Sequence, residues 1–323
     1  MSIIISSIIL LLCILLVTAY LTLIERKLIG FMQLRVGPSM VGVFGILQPM
    51  ADAIKLLFKE PIIPHKADKI LFLVAPLITM TIALFAWVAI PIGGNFYISD
   101  LNLGILFVLS VSSLSVYSII LAGLASNSKY PFLAAIRATA QMLSYELTMG
   151  LCILSVVTIA GSGNLTDIVY MQVDMHWILR CLMLPIGLLF FICTLAETNR
   201  HPFDLAEAES ELVAGYHSEY SSMQFAMFFL GEYANMALMS SLTTLLFLGG
   251  WSVPFGIQSL ECIPSVIWFL VKTLGCLMLF IIVRGVLPRY RYDQLLKIGW
   301  GRLLPTSFIL FMLVTVTKYY LTH

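Results

Sequence analysis

Leu182-Met-Leu-Pro-Ile-Gly-Leu-Leu-Phe-Phe-Ile-Cys-Thr-Leu-Ala-Glu-Thr-Asn-Arg-His-Pro-Phe-Asp-Leu-Ala-Glu-Ala-Glu-Ser-Glu-Leu-Val-Ala-Gly-Tyr216 joins an uncharged apolar run to a dense acidic one. Leu182 to Leu195 reads as membrane span, and the acids begin where it ends. Glu197, Asp204, Glu207, Glu209, Glu211 and Glu219 fall within a few turns, with Arg200 as the only permanent cation among them. Carboxylates crowded at the edge of a low-dielectric slab repel one another and lose hydration, so their protons become exchangeable near neutral pH. The stretch predicts a chain whose solvent is lipid and a proton-handling site at the membrane boundary. If 204–211 is helical, Asp204, Glu207 and Glu211 share one face, a costly arrangement of like charges. A solvated acidic loop is the plainer reading, but Phe203, Leu205, Leu212 and Val213 are interleaved with the acids and fit water poorly.

Composition extends the lipid reading to the whole chain. Of 323 residues, 60% are hydrophobic and 11% charged, more apolar surface than a soluble domain of this size could bury. Eight runs have span length, at approximately 3–24, 70–91, 103–125, 141–161, 178–197, 222–249, 264–287 and 303–321. The first, Ile3 to Leu23, has span rather than signal-peptide length and no small-residue cleavage site after it. Glu25-Arg26-Lys27 ends it, so it is expected to be retained. No Arg-rich amphipathic segment precedes it, which points to an organellar gene or a bacterial host. Pro76, Pro185 and Pro254 lie in or beside spans, where neighbouring helices can satisfy the carbonyl each one frees. The expected fold is all-α: a polytopic protein with about eight transmembrane helices, forming one integral membrane domain over 1–323, without internal repeats.

Basic residues sort the loops. The first holds Arg26, Lys27, Arg35, Lys55, Lys59, Lys66 and Lys69; the third Lys129 and Arg137; the fifth Arg200; the seventh Arg289, Arg291, Lys297 and Arg302. The second, fourth and sixth hold only Arg180. This bias places the odd-numbered loops on the cytoplasmic or matrix side and both termini on the other. Within the first loop, Met50, Ala53, Ile54, Leu57 and Phe58 follow helical spacing, with Asp52, Lys55 and Lys59 opposite. Pro49 suits a first helical position and Pro61 closes the segment, which predicts an interfacial helix.

Charges placed inside spans are costly and usually face protein or water. Glu146 lies near the start of the fourth run, Glu197 ends the fifth and Glu232 lies well inside the sixth, while Lys272 and Arg284 fall in the seventh. A structural ion pair explains any one of these alone, and the set of three acids argues for a proton path. The six cysteines form no CxxC pair and the five histidines no ligand spacing, so no metal site is expected. Neither a GxGxxG nor a P-loop is present, so any electron carriers belong on other chains. Glu25, Arg26, Arg35 and Glu60 flank apolar stretches at the membrane surface, as a lipid-borne ligand with a polar head requires.

Several segments carry a specific resemblance. They are Glu25-Arg-Lys-Leu-Ile-Gly-Phe-Met-Gln-Leu-Arg-Val-Gly-Pro38, Leu47-Gln-Pro-Met-Ala-Asp-Ala-Ile-Lys-Leu-Leu-Phe-Lys-Glu60, Ser126-Asn-Ser-Lys-Tyr130, Glu197 to Asp204, Glu209 to Val213, and Pro288-Arg-Tyr-Arg-Tyr-Asp-Gln-Leu295. The whole chain resembles the subunit 1 family of NADH dehydrogenase, the quinone-site membrane subunit of respiratory complex I. Gly231-Glu-Tyr-Ala-Asn-Met236 is more similar to plant, protist and alphaproteobacterial members than to animal ones. The resemblance implies that Arg26, Arg35, Glu60, Glu232 and Arg284 line or adjoin a quinone tunnel. It implies that Glu146, Glu197, Asp204, Glu207, Glu209 and Glu211 form an acidic funnel for protons. Ubiquinone would be the substrate. NADH, FMN and iron–sulfur clusters would sit on other subunits, and the partners would be peripheral-arm quinone-module subunits, antiporter-like membrane subunits and membrane lipids, with no nucleic acid. The implied location is the mitochondrial inner membrane or, alternatively, a bacterial plasma membrane. Ala208 stands where the family commonly has glycine and His217 where it has asparagine. Pro131 and Ala134 also depart from it. The alternatives are a membrane-bound hydrogenase subunit, which the Glu25–Glu60 pattern disfavours, and an autonomous transporter, which the lack of repeats disfavours.

Overall fold

The computed structural model describes residues 2–94, 96–204, 215–253 and 263–322. Among them the architecture is all-helical. The order is α1 (Ser2–Met32), α2 (Gln48–Phe58), α3 (Lys69–Phe85, tightening into a 3₁₀ turn to Ala89), α4 (Gly104–Ala125), α5 (Lys129–Ala160), α6 (Leu165–Val173) and α7 (Trp177–Glu197). It continues with α8 (Ser222–Phe247), α9 (Ser265–Val286), α10 (Tyr292–Ile298), a π-helical turn at Gly299–Leu303, and α11 (Leu304–Thr322). Seven of these segments are long and apolar enough to cross a membrane, which makes this a multi-pass membrane protein.

The eighth expected span is α8, and its burial explains its weaker apolarity. At 26 residues it is about 39 Å long. It packs against α1, α3, α7 and α9 and is buried almost continuously from Gly231 to Leu246. Lipid touches little of it, so polar residues are tolerated if they are satisfied. Ser240, Ser241, Thr243 and Thr244 each donate to the carbonyl three residues earlier, at 2.6–2.7 Å. Around this axis α3 packs on α4, α4 on α5, and α5 on α7 and α11. At Gly123 a Cβ would stand 2.4 Å from the Ala135 Cβ, so the close approach of α4 to α5 requires glycine there.

Two expected boundaries move. The helix containing the fourth run begins at Lys129 rather than 141, because polar Arg137 and Gln141 belong to its packed inner section. Glu146 therefore sits mid-helix rather than near the start of a span. Likewise α1 runs through Glu25-Arg26-Lys27 to Met32, because those charges find protein partners instead of ending the helix. The fourth loop gains α6, capped where the Asn164 side chain accepts from the Thr166 amide at 3.0 Å.

The loops gather in two sets. Ile62 N donates to Ser221 Oγ (3.0 Å), Asn127 Nδ2 to Lys66 O (3.0 Å) and Tyr290 N to Pro202 O (3.2 Å), joining the first, third, fifth and seventh loops. Opposite them, Gln172 Nε2 donates to Leu245 O and Leu246 O (2.8 Å), and Ile105 N to Gly163 O (3.3 Å). Lys272 spreads its ammonium over Leu248 O, Gly250 O and Ser252 O at 2.7–2.9 Å, capping the far end of α8. Its role is structural. Odd and even loops thus lie at opposite ends, as alternating spans require. A single cysteine at exposed Asn102 is expected to react with an impermeant thiol reagent from the outer side, and one at exposed Ser218 only after permeabilisation. Outer labelling at 218 contradicts the orientation.

Candidate functional site: a buried charge cluster beside an interfacial helix

Four elements converge on Glu25, which is 3% exposed near the inner end of α1. Arg200, just past α7, places NH1 3.3 Å from its Oε1. Arg284 of α9 pairs with the same oxygen, and the Tyr233 hydroxyl of α8 donates to Oε2 at 2.6 Å. The Arg200 guanidinium also lies over the Tyr233 ring, 4.4 Å from its centroid. A carboxylate and a guanidinium this deep persist only when paired and hydrogen-bonded, and here both conditions hold.

Next to Glu25, Arg26 turns outward and bonds Asp52 of α2 at 2.7 Å, while Gln48 donates to the other Asp52 oxygen at 3.0 Å. Lys27 donates to Phe44 O, and Ser222 Oγ lies 3.0 Å from Leu56 O and 2.6 Å from Lys59 O. These contacts hold α2 against the ends of α1 and α8. Its other side is open: Met50, Ile54, Leu57 and Phe58 are exposed. The amphipathic helix expected at Pro49–Lys59 is present, with Pro49 in its first turn and its apolar face turned outward, as a lipid interface requires. Arg35 and Glu60 are exposed beside it. Glu232 is half-buried and accepts from the Tyr216 hydroxyl at 2.9 Å.

The acids expected in a proton path divide. Glu197, the last residue of α7, is 5% exposed. Its Oε2 has no hydrogen-bond donor among the described residues. It lines a cavity with Ser112, Ser115, Thr198 and Asn235 that has room for about one water molecule. Glu146 is half-buried on α5, close enough for its charge to act on Glu197. Asp204 is buried but belongs to a different cluster: Arg289 NH2 lies 2.9 Å and His201 Nε2 3.3 Å from its Oδ2. Burial opposes ionisation of Asp204, yet the His201 hydrogen bond and the Arg289 charge outweigh it and hold the carboxyl below the usual range. Asp204 is therefore a fixed anion tying the fifth loop to the seventh. Glu207, Glu209 and Glu211, and the shared helical face expected over 204–211, lie outside the described residues.

The structure therefore joins Glu25 to Arg284 and Arg26 to α2, and places Glu197 near Glu146. Sequence reasoning missed Tyr233 and Gln141. Tyr233 carried a faint signal, adjoining Glu232 in a span that is polar for its length. Gln141 carried one too, as an amide at the edge of an apolar run.

These features define a class: an all-α multi-pass membrane protein with paired buried charges at one end and an apolar interfacial helix beside them. The comparisons narrow the class. A family model described as NADH dehydrogenase matches residues 5–315, and the chain belongs to that family. It is 56% identical over 305 residues to an NADH-quinone oxidoreductase subunit of Rickettsia bellii (strain OSU 85-389), an alignment covering 94% of this chain and 90% of that one. It is 55% identical over 305 residues to the like-named protein of Rickettsia canadensis, with the same shares covered. To that of Rickettsia prowazekii it is 56% identical over 302 residues, covering 94% and 89%.

Proposed function

We propose that this chain is a core membrane subunit of a proton-translocating NADH:quinone oxidoreductase. It forms the membrane-side entrance and lower wall of the quinone site and the first part of the proton path. The observation that carries the reading is the Glu25–Arg200–Tyr233–Arg284 cluster beside α2. A lipid-borne quinone needs an apolar approach from the bilayer and polar groups for its head, and exposed α2 and the charges behind it supply both. Reduction of a quinone to its quinol takes up two electrons and two protons. In this reading the electrons come from flavin and iron–sulfur carriers on other subunits. This chain binds and orients the head through Arg26, Arg35, Glu60, Glu232 and Arg284. Of the expected acids Glu146, Glu197, Asp204, Glu207, Glu209 and Glu211, Asp204 is a fixed anchor and the others respond to the proton demand, with Glu197 as a carrier. The partners are the quinone-module and antiporter-like subunits of such a complex and the surrounding lipids. The membrane is a bacterial plasma membrane or the inner membrane of a mitochondrion. The matched relatives are named as quinone oxidoreductase subunits, which favours this reading over the hydrogenase alternative.

The test is Arg26→Met in the purified complex. Removing the cation breaks one tie between α1 and α2, at Asp52, and takes away a proposed contact to the quinone head, so quinone reductase activity is expected to fall several-fold with an altered response to quinone-site inhibitors. NADH oxidation by a water-soluble acceptor is expected to stay unchanged. Unchanged quinone kinetics in a fully assembled variant remove Arg26 from the site.

A further inference from the structure

Gln141 occupies an unusual position. It is 0% exposed on α5, and its amide nitrogen faces three acceptors: Ala196 O at 2.9 Å, Asn199 Oδ1 at 3.2 Å and Phe203 O at 2.9 Å. All three belong to the end of α7 and the start of the fifth loop. Three oxygens around one end of the amide fix its orientation, because the carbonyl end would be repelled. Gln141 Oε1 has no donor among the described residues.

An NH2 group carries two hydrogens, so it cannot satisfy three acceptors at once. Ala196 O also accepts from the Asn199 backbone amide at 3.3 Å, so the two hydrogens are shared among acceptors of unequal need. Two hydrogen-bonding arrangements therefore compete at similar distances, and a small movement of the loop decides between them. The three acceptors also sit between functional groups. Ala196 precedes Glu197. Asn199, which has a left-handed backbone (φ 49°), precedes Arg200, the partner of Glu25. Phe203 precedes Asp204, the partner of Arg289.

We propose that Gln141 is a positioning residue that couples the Glu25–Arg200 cluster to Glu197 by exchanging its two hydrogens among these three acceptors. Movement of Arg200 displaces Asn199. Gln141 then trades Asn199 Oδ1 against Phe203 O while keeping Ala196 O, and so reorients the last turn of α7 that carries Glu197. This rests on the placing of Glu197 in the proton path, and it adds the side chain through which the quinone end of the molecule acts on that acid.

The experiment uses the intact complex in vesicles. Gln141→Met keeps the volume and removes both hydrogens, and Gln141→Asn keeps the amide on a shorter arm. In assembled complex, Gln141→Met is expected to lower quinone reductase turnover roughly fivefold to tenfold, with proton uptake falling in step. The double variant Gln141→Met/Glu197→Gln is expected to be no slower than Glu197→Gln alone, since both act through one carboxylate. Additive losses, or a slowed Gln141→Met whose proton uptake does not fall with turnover, overturn the proposal. So does failure of both Gln141 variants to assemble, which makes the residue a folding determinant. Normal turnover of Gln141→Met beside a slowed Glu197→Gln overturns this proposal alone, whereas a silent Glu197→Gln overturns the proton-path reading with it.

Discussion

Glu25→Ala is expected to prevent stable assembly of the protein, by the largest margin of any single substitution considered. The anion is the shared partner of Arg200, Arg284 and Tyr233. Removing one member of a buried pair costs about 3–5 kcal/mol, because the charge left behind has lost its compensation without regaining water. Arg200 dominates that cost, with a side chain 8% exposed; Arg284, at 34%, can turn toward solvent. Arg284→Met is therefore expected to be milder than Glu25→Ala. Glu25→Gln, which retains an acceptor for the Tyr233 hydroxyl, is expected to fall between them. Flavin content of membrane-extracted complex measures assembly, and thermal inactivation of the extracted complex measures stability. A Glu25→Ala complex with normal yield and normal thermal inactivation contradicts the idea that this cluster fastens α1 to α8 and α9.

Much of the fold was legible because lipid imposes a strict rule: predominantly apolar runs of span length must be helices. That rule found all eight long helices among the described residues, including α8, where a hydropathy criterion alone falls short. It placed the fourth helix too late because the run stopped at Gln141 and Arg137 read as loop. Those residues are polar for a tertiary reason: Gln141 bonds the end of α7, and Arg137 lies 5.1 Å from the centre of the Tyr292 ring. The same reasoning read Glu25-Arg26-Lys27 as the end of a span, whereas their partners lie 17 to 259 residues away in sequence. Local pattern carries no information about such pairs. The candidate site was legible as a set of residue types: Arg26, Arg284, Glu197 and Asp204 all proved to be held in specific environments. Their roles separated only in three dimensions. Asp204 and Glu197 looked alike in the acidic stretch. One is held as an anion by Arg289 and His201, while the other has an oxygen without a donor among the described residues, beside a small cavity.

That contrast yields the second large expected effect. A group that moves protons must be able to lose and regain one, so it cannot be locked by permanent cations. Among the described acids of the proposed path, Glu197 meets this condition best: it is buried, faces the charge of Glu146, and opens onto polar Ser112, Ser115 and Asn235. Glu197→Gln preserves shape and packing but cannot titrate. In tightly coupled machinery a stalled proton step also stalls the electron step, so quinone reduction and pumping are expected to fall together. The most direct test measures NADH:quinone reductase rate and proton uptake in vesicles for the assembled Glu197→Gln complex. Asp174→Asn, an exposed acid in the fourth loop, serves as the reference. The account predicts that Glu197→Gln loses about tenfold or more in both quantities, a barrier of at least about 1.4 kcal/mol, while Asp174→Asn matches the unaltered complex. A Glu197→Gln complex that pumps and turns over like Asp174→Asn contradicts it.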